Sequence, residues 1–441
     1  MFSGIIYFTL FGYFIKFCDA KKKYNNYTLY RGIPVERSHL EFFTNLSINY
    51  DVNYWIEPGE MNQAIDFVIS PADNAAMLRK ASEVGVYIKP ITEDVQKYFD
   101  QQTVEQYTRK KLQTMNWYNF YRLDSIYNWI NDMAHAHPGV VKLKSIGNSF
   151  ENRSILAVQV KLNKDSYRPA VMIEGGIHAR EWISPAFVTY LINQIANARS
   201  SRDAGLKKIA FDYDWYFVPI LNPDGYEYSH TEDRMWRKNR RGFGIDLNRN
   251  FDYAFGTMPT DLYPVSPSYC GPYAFSEIEA KAMKRFVEEK AKYLKYYISF
   301  HSYGQYIILP SERLSSYNFN KLLTICQTAA KHLSVRYGTK YEVGTSLMTV
   351  GYEAVGVSAF WVKKEFDIPY TLLFELRDQG SYGFGLPPNL ILPTCEETLD
   401  GLKIIINPTD PGELGAPQRN VWHIGSTPSK NELNKIIIVI S

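Results

Sequence analysis

The sequence predicts an α/β fold, a mixed and mainly parallel sheet covered by helices on both faces, preceded by a small α+β ferredoxin-like domain. The chain has 441 residues, enough for about two to three domains of ordinary size. From residue 124 onward, short apolar stretches alternate with helical ones, which is the pattern of a sheet covered by helices. Between Tyr27 and Gln101 the order is strand, helix, strand, strand, helix, strand, which is typical of small ferredoxin-like domains.

The composition is that of a soluble globular protein, with 45% hydrophobic and 22% charged residues. Basic and acidic residues number 49 and 46, giving a formal net charge of +3. This balance offers no concentrated basic face, so we expect no nucleic-acid partner. The sequence gives no reason to expect anything but a monomer.

The N-terminus carries an apolar run from Ile5 to Phe17, followed by Cys18-Asp19-Ala20. The run is too short for an ordinary membrane span, so we interpret residues 1–20 as a secretory signal peptide, the alternative being an uncleaved N-terminal anchor. We therefore expect a secreted, extracellular protein that is not membrane-bound. Three Asn-x-Ser/Thr sequons support export, and they begin at Asn26, Asn45 and Asn152.

Cysteine is too sparse for a disulfide scaffold, with four residues in the whole chain. Cleavage after Ala20 would remove Cys18 and leave Cys270, Cys326 and Cys395. An odd number allows at most one disulfide, and the sequence does not say which pair would form it.

The small domain is predicted from four strand-like and two helix-like stretches. The strands are YTLYRGI, YDVNYW, AIDFVIS and VYIKPI, and the helices are SHLEFFTNL and PADNAAMLRKASEVG, the second opening on a proline. A polar stretch follows that contains Arg109-Lys110-Lys111. By itself this cluster is either a solvated linker or a processing site for a trypsin-like protease, and the run alone favours the linker.

The large domain is predicted from six strands and five helices. The strands are VVKLKSIG, SILAVQVKL, RPAVMIEGG, DWYFVPIL, KYYISFH and YTLLFEL. The helices are SIYNWINDMAHA, AFVTYLINQIANA, SEIEAKAMKRFVEEKAK, FNKLLTICQTAAKHL and CEETLDGLKIII. Residues 409–441 form a tail rich in proline and glycine near its start, to which we assign no function.

The strongest chemical signal is the segment from Glu174 to Trp182, directly after the strand AVMIE. His178 and Glu181 are three residues apart, so both side chains can face one ion, and imidazole and carboxylate are good zinc ligands. The spacing alone is a weak signal, but its place beyond a strand end is where open α/β sheets bind ligands.

Two further strands end in residues that fit the same chemistry. KYYISFH ends at His301, a candidate third ligand, although a histidine capping a strand in the core is an equally simple reading. YTLLFEL is followed by Arg377 and carries Glu375, a carboxylate that is costly at the end of an apolar strand unless it is paired or used. Glu375 is either a general base beside a metal-bound water or the partner of an arginine.

Arginine and an amide cluster in the segments RMWRK and DLNRN, residues 234–238 and 246–250. Arginine suits bidentate binding of carboxylates. We interpret Lys238, Arg240 and Arg241 instead as a solvated basic face.

Together these segments resemble the zinc metallocarboxypeptidases of the carboxypeptidase A/B type. The resemblance runs from about Tyr27 to about Ile406 and rests on five motifs in order: GGIHAREW, RMWRK, DLNRNF, SFHSYGQ and FELRDQGSYGF. It implies an activation propeptide over residues 21–111, activation by a trypsin-like protease near Arg109 to Lys111, and a catalytic domain over residues 112–408.

The resemblance also implies a role for each motif residue. One Zn²⁺ would be bound by His178, Glu181 and His301, with Asp246 orienting His178. Glu375 would activate the metal-bound water and Arg237 would stabilise the oxyanion. The substrate is implied to be the C-terminus of a peptide or protein. Its carboxylate would be held by Asn248, Arg249 and Tyr352, and its outer residues by Arg180 and Tyr303.

The segment that sets specificity departs from the family's pattern. Ala359 stands where members specific for basic residues carry an Asp, which favours apolar or aromatic C-terminal residues. Against this, Phe360 replaces a usual Asp, and Glu312 stands where the family commonly has a glycine facing the pocket, so that Glu312 could attract a C-terminal Lys or Arg. An apolar preference is our expectation, and the basic preference is its alternative.

The leading hypothesis is a secreted proenzyme that removes C-terminal residues by zinc-assisted hydrolysis. A hypothesis from another class is a relative that binds peptides without hydrolysing them. The catalytic positions all carry competent residues, which favours the enzyme.

Overall fold

The computed structural model describes residues 21–102, 104–105, 115–163, 168–258, 262–315 and 317–407. The signal-peptide run, the Arg109–Lys111 cluster and the tail lie outside these residues. No described helix combines the length and the apolar character that crossing a bilayer requires.

The small domain is a four-stranded antiparallel sheet with two helices, as predicted. Its order along the sheet is β2-β3-β1-β4. Buried side chains from both helices, such as Phe43 and Met77, pack on Phe67 of the central strand. The elements are β1 (Thr28–Gly32), α1 (Arg37–Asn49), β2 (Val52–Ile56), β3 (Ile65–Ile69), α2 (Pro71–Val84) and β4 (Ile88–Thr92).

The described part of the connection to the large domain consists of one helix and one two-residue strand. Helix α3 (Gln96–Gln101) is followed by β5 (Val104–Glu105), which pairs in parallel with β6 (Phe120–Tyr121). Gln102 at the end of α3 donates from its side chain to the backbone carbonyls of Phe384 and Leu386, which fixes this connection to the large domain.

The large domain is an eight-stranded mixed sheet with helices on both faces. Four of its seven neighbouring strand pairs are parallel. The order along the sheet is β13-β12-β14-β11-β9-β10-β8-β7. The elements are α4 (Leu123–Ala136), β7 (Val141–Asn148), β8 (Ser154–Val160), β9 (Ala170–Glu174), α5 (Ile183–Ala196), α6 (Ala204–Asp212), β10 (Asp214–Val218), α7 (Pro223–Thr231), α8 (Ile278–Lys290), β11 (Leu294–Ser302), β12 (Tyr306–Leu309), α9 (Glu312–Ser315), α10 (Phe319–Tyr337), β13 (Glu342–Thr345), α11 (Ser346–Thr349), α12 (Ser358–Phe366), β14 (Tyr370–Leu376) and α13 (Ile391–Ile406).

Alternation along β11 assigns the helices to the two faces of the sheet. Tyr297 belongs to the core cluster that contains Met283 of α8 and Phe360 of α12. Phe300, which points the opposite way, packs on Phe187 of α5 with ring centroids 4.6 Å apart. His301 therefore lies on the face that α8 and α12 cover.

The predicted strands and helices all form, and ten further strands and α-helices of the described residues were not predicted. These are α3, β5, β6, α6, α7, β12, α9, β13, α11 and α12. Strands β12 and β13 have four residues each, too few for a period to be read. Helix α7 has a readable start, since Pro223 opens it and Asn222 accepts a hydrogen bond from Gly225 N.

Two of the cysteines, Cys326 and Cys395, are buried thiols that form no disulfide. Burial raises the pKa of Cys395 well above its usual value, and the neighbouring Glu396 adds to the shift. These thiols contribute to the core as small apolar side chains.

Candidate metal centre

Strand β9 delivers two candidate ligands through a tight turn. Gly176 has φ +60°, and a Cβ added there would lie 2.9 Å from Ile220 Cα and 3.0 Å from Pro219 O, so a side chain would strain this turn. The following residues are held to the large domain by a hydrogen bond from Ala179 N to Arg237 O. His178 and Glu181 lie in this loop, just before α5 begins at Ile183.

The two imidazoles and the carboxylate predicted as ligands converge on one point. His178 Nδ1 lies 2.8 Å from Glu181 Oε1 and 3.1 Å from His301 Nδ1, and His301 Nδ1 lies 3.2 Å from Glu181 Oε2. All three side chains are buried. Burial alone would raise the pKa of Glu181, but His178 and His301 outweigh it, so the pKa lies below its usual value.

This donor set fits zinc. Ligands about 2.0–2.1 Å from an ion at tetrahedral angles are about 3.3 Å apart, close to the separations in this group. Two nitrogens and one carboxylate also match catalytic zinc sites, which use three protein ligands and leave a position open. Both imidazoles face the common point with Nδ1, and each Nε2 has a partner elsewhere.

Asp246 holds both His178 and Arg237. Its Oδ1 lies 3.0 Å from His178 Nε2, and its Oδ2 accepts from Arg237 Nε at 3.0 Å and Nη2 at 2.8 Å. Burial would raise the pKa of Asp246, but Arg237 and His178 lower it well below its usual value. Asp246 is therefore a charged acceptor, and it ties the orientation of a metal ligand to that of the guanidinium beside it.

Glu375 lies next to this group because β14 pairs with β11. The pairing is parallel and places Glu375 opposite His301 in the register. Burial and the neighbouring Glu181 carboxylate raise the pKa of Glu375 well above its usual value. Its side chain lines the same cavity as the three candidate ligands. Arg377, the alternative partner proposed for it, instead pairs with Glu397.

The predicted carboxylate-binding residues lie in the same cavity, which has a volume of about 120 Å³ and which we call the central cavity. Asp246 starts the turn that carries Asn248 and Arg249 by accepting from Asn248 N at 2.9 Å. Arg249 Nη2 donates to Tyr352 Oη at 3.3 Å. Arg249 thus contacts the tyrosine that was predicted to hold the substrate's carboxylate with it.

The predicted specificity residues do not line the central cavity. Ala359 is fully buried in the core. Glu312 is exposed at the start of α9. Neither is among the residues that form the cavity wall. The apolar residues that the large domain contributes to the wall are Ile308, Val350, Ala354, Val357, Phe360, Leu373 and Phe384.

The small domain covers the two residues that were predicted to bind the outer part of a substrate. Arg180 donates to Asn53 Oδ1 at 2.9 Å and to Tyr54 O at 3.1 Å. Tyr303 donates to Asp66 Oδ2 at 2.8 Å. Trp55, Ile56 and Glu57 also line the central cavity, so β2 and the residue after it lie against the site.

Two buried carboxylates that form hydrogen bonds around the site were not identified from the sequence. Asp66 is fully buried, in β3, and Glu174 is fully buried at the end of β9. Both stand in otherwise apolar strands, AIDFVIS and AVMIE. The available signal was the cost of a carboxylate in an apolar strand, which requires a partner.

Comparison with known families matches both domains. A model described as zinc carboxypeptidase matches residues 126–401, and one described as carboxypeptidase activation peptide matches residues 30–102. The first covers more than half of the chain.

Individual relatives agree with these matches. Zinc carboxypeptidase A 1 of Anopheles gambiae is 36% identical over 390 residues, which cover 86% of this chain and 89% of that protein. Carboxypeptidase B of Astacus astacus is 37% identical over 303 residues, which cover 66% of this chain and 98% of that protein.

A solved structure shares the whole architecture. The crystal structure of thrombin activatable fibrinolysis inhibitor superposes with a TM-score of 0.79 at 28% identity, covering 87% of this chain and 98% of that one. The motif resemblance, the α/β fold and zinc as the cofactor are confirmed by these comparisons, and the group of His178, Glu181 and His301 is consistent with zinc binding. The chain therefore belongs to the zinc carboxypeptidase family, as a zinc-dependent metallocarboxypeptidase whose catalytic domain is preceded by an activation peptide.

Proposed function

We propose that the chain is a secreted proenzyme which, once residues 21–111 are removed, hydrolyses the last peptide bond of peptides that end in an apolar or aromatic residue. Residues 112–408 form the catalytic domain in this proposal. The observation that supports it best is the gathering of His178, Glu181, His301, Glu375 and Arg249 around one cavity.

The proposed metal ligands are His178, Glu181 and His301. The chemistry that zinc supplies when bound there is polarisation of a carbonyl oxygen and a lowered pKa for water. Glu375 takes a proton from the attacking water and passes it to the leaving amine. Its raised pKa suits this role, since a general base works best with a pKa near the operating pH.

Arg237 stabilises the oxyanion that develops on the scissile carbonyl. Its guanidinium is held by Asp246 and lines the central cavity, so its orientation is set before the substrate arrives. A donor fixed in this way acts strongly in a site that excludes water.

Asn248, Arg249 and Tyr352 hold the terminal carboxylate of the substrate. Because this group of residues stands at a fixed distance from the metal ligands, it selects the last peptide bond and rejects internal ones. The test is turnover of peptides that differ only in having a free or an amidated C-terminus. The proposal expects hydrolysis of the free peptide alone, abolished by a chelator, and equal turnover of both would contradict it.

The preference for apolar C-terminal residues is supported by the wall of the central cavity. Seven apolar side chains of the large domain contribute to it, and its acidic residues are Glu57, Glu181 and Glu375. Glu57 belongs to the segment that is removed, and the other two have roles at the metal. No further carboxylate of the described residues lines the cavity to pair with a C-terminal Lys or Arg.

An activity profile over peptides that differ only in their last residue tests this preference. The proposal expects Phe or Leu to be favoured, and Glu312→Gln to leave the profile unchanged because Glu312 is exposed away from the cavity wall. Favoured cleavage of C-terminal Lys or Arg, lost in Glu312→Gln, would establish the basic alternative.

Activation is proposed to occur by a trypsin-like protease between Arg109 and Lys111, in a segment outside the described residues. Limited trypsin treatment followed by N-terminal sequencing should give a product that starts near Leu112, with a rise in activity. Cleavage elsewhere without activation would contradict this.

Secretion is proposed on the signal-like N-terminus and the sequons. The monomeric state is proposed separately, since the sequence gives no reason to expect self-association. Expression of the full chain in a secretory host should deliver protein that starts after Ala20 into the medium. Light scattering of that protein should give the mass of one chain. Retention in cell membranes, or a dimer mass, would contradict the respective proposal.

A further inference from the structure

One further buried carboxylate, Glu174, lies close to the metal ligands and has no assigned role. Glu174 is fully buried at the end of β9. Among the described residues its hydrogen-bond partners are three hydroxyl groups: those of Tyr297, Ser299 and Ser358. Burying a carboxylate costs free energy unless the group is well paired, so its presence in the core indicates a role.

Glu174 connects to the metal ligand His301 through Ser299. Strands β9 and β11 pair in parallel with Glu174 opposite Ser299 in the register. Ser299 and His301 are two residues apart in β11, so they share a face of the sheet. Ser299 Oγ lies 2.9 Å from Glu174 Oε1 and 2.9 Å from His301 Nε2.

The direction of these two hydrogen bonds follows from the chemistry of the groups. The oxygens of Glu174 accept from all three hydroxyl groups, and a hydroxyl has a single proton to donate. Ser299 therefore donates to Glu174 and has only lone pairs left for His301. His301 Nε2 must then carry the ring proton and donate it to Ser299.

This arrangement leaves His301 Nδ1 without a proton. Nδ1 is the nitrogen that faces His178 and Glu181, so its lone pair is available to a metal. Asn248 Nδ2 lies 3.4 Å from His301 Nε2 and is a competing donor to it. That separation exceeds the usual range for N–H hydrogen bonds, so the bond to Ser299 at 2.9 Å decides the tautomer.

We propose that Glu174 is a positioning residue which, through the Ser299 hydroxyl, fixes the tautomer of His301 and thereby sets the affinity of the site for zinc. The proposal rests on the three-ligand site described above. His178 is supported directly by Asp246, whereas His301 receives its support from a carboxylate one hydroxyl further away. Partners of metal ligands of this kind typically change metal affinity by about 10–100-fold when removed.

Two variants interrupt the path at different points. Ser299→Ala removes the acceptor, leaving His301 Nε2 to accept from Asn248 and the ring proton to move to Nδ1. Glu174→Met keeps similar length but removes the acceptor for Ser299, whose proton can then turn to His301. Tyr297→Phe is the matched control, since it removes a donor to the other carboxylate oxygen and leaves the path intact.

The measurement is the apparent dissociation constant for zinc, obtained by competition with a chelator of known affinity, on purified full-length chain that retains its thermal unfolding transition. Both path variants should bind zinc about 10–100-fold more weakly than wild type, and Tyr297→Phe should bind it like wild type. In the metal-free protein with ¹⁵N-labelled histidine, the His301 proton should lie on Nε2 in wild type and on Nδ1 in Ser299→Ala.

Unchanged zinc affinity in both path variants, or a proton on Nε2 of His301 in Ser299→Ala, would overturn the proposal. If Glu174→Met does not fold, Ser299→Ala alone decides. If the wild-type chain binds no zinc at His178, Glu181 and His301, the proposed three-ligand site is wrong. If wild type binds zinc tightly and the variants bind it equally tightly, only the proposal on Glu174 is wrong.

Discussion

Neighbouring groups shift the pKa values of the carboxylates within this one site in opposite directions. Glu181 and Asp246 have lowered pKa values because imidazoles and Arg237 surround them, in spite of burial. Glu375 has a raised pKa because it is buried beside the charge of Glu181. This division separates the proposed metal ligand Glu181 and the guanidinium partner Asp246 from Glu375, which we propose as the general base.

Replacing Glu375 with Gln should remove the proton acceptor and leave the metal ligands in place. We expect kcat to fall by about 10²–10⁴-fold, the usual contribution of a general base. The check is steady-state kinetics on trypsin-activated protein together with metal analysis, which should still give one zinc per chain. Glu353→Gln, an exposed residue of the neighbouring loop, is the control. Equal losses in both variants, or loss of zinc in Glu375→Gln, would contradict the role.

A buried histidine gives the fold a pH dependence of its own. His230 stacks on Trp182 with ring centroids 3.8 Å apart, and neither ring nitrogen has a hydrogen-bond partner among the residues that the structure describes. Burial lowers the pKa of His230 well below its usual value, and Arg234 adds to the shift. The folded chain therefore keeps this ring neutral, while the unfolded chain protonates it below about pH 6.5.

Since the unfolded state binds the extra proton, stability from this group is present above pH 6.5 and is lost as the pH falls toward the depressed folded pKa. The loss is at most about 1.4 kcal/mol per pH unit. His230→Phe keeps the stacking and should flatten the decline in the free energy of unfolding between pH 6.5 and 5.5, measured by urea titration. Exposed His332→Gln should leave the decline as in wild type. A steeper decline in His230→Phe would show the sign to be wrong.

The residues of the site could be predicted from the sequence to the extent that they lie close together in it or follow strand ends. The spacing of His178 and Glu181, and the strand endings at His301 and Glu375, gave four positions that the structure brings to one cavity. The path from Glu174 to His301 could not be predicted, because it depends on which strands become neighbours. The position of Ala359 in the core instead of the cavity wall could not be predicted either, because the direction of each side chain on α12 depends on packing.

At the scale of elements, the site is built where three parallel neighbours, β9, β11 and β14, end together. The turn that carries Asn248 and Arg249 is fixed separately, by close packing against the loop before α12. Gly356 has φ +65°, and a Cβ there would lie 2.1 Å from Arg249 O. The backbone of Arg249, the residue that we propose to bind the substrate's carboxylate, thus lies against a position that only glycine fits.

Gly356→Ala should displace Arg249 and weaken substrate binding. We expect a higher KM for peptides with a free C-terminus and a loss of stability above about 1 kcal/mol, since positive φ and a clash act together. Gly338→Ala is the matched control, because Gly338 has φ +74° and open space around its Cβ position. It should lose stability from φ alone with KM unchanged. A KM in Gly356→Ala equal to that of Gly338→Ala would contradict this account of the turn.

Elements with a clear period were predictable, and short ones were not. The amphipathic helices α4 and α10 and the apolar strands β9 and β14 each gave a readable pattern. Strands β12 and β13 extend the sheet to an edge that the sequence did not indicate. Their pairing depends on contacts with β14 that a four-residue pattern cannot reveal.

At the scale of the whole molecule, the activation peptide is joined to the catalytic domain by buried polar contacts as well as by an apolar cluster. Asp66 accepts from Tyr303 and makes a paired interaction with Arg31, both N–O distances being 2.6 Å. Arg31 also donates to Gln379 O at 2.8 Å. Asp66 therefore binds two groups from opposite sides of this interface, around which Trp55 and Phe384 pack.

Asp66→Asn should weaken this interface, because a neutral amide cannot accept from the guanidinium and the phenol with the strength of a carboxylate. We expect the intact zymogen to cleave a small C-terminally free peptide at least about tenfold faster than wild-type zymogen, which corresponds to about 1.4 kcal/mol. The trypsin-activated forms should be equal. Glu41→Gln, at an exposed position of α1, is the control. If the Asp66→Asn zymogen cleaves the peptide no faster than the wild-type zymogen, Asp66 does not hold the interface.

The central claim is that His178, Glu181 and His301 bind one zinc ion, with both imidazoles using Nδ1. The most direct test is a crystal structure of the zinc-loaded chain with diffraction recorded on both sides of the zinc absorption edge. The account predicts a single anomalous peak about 2.0–2.2 Å from His178 Nδ1, His301 Nδ1 and a Glu181 oxygen. A peak at another place, or ligation of His301 through Nε2, would contradict it.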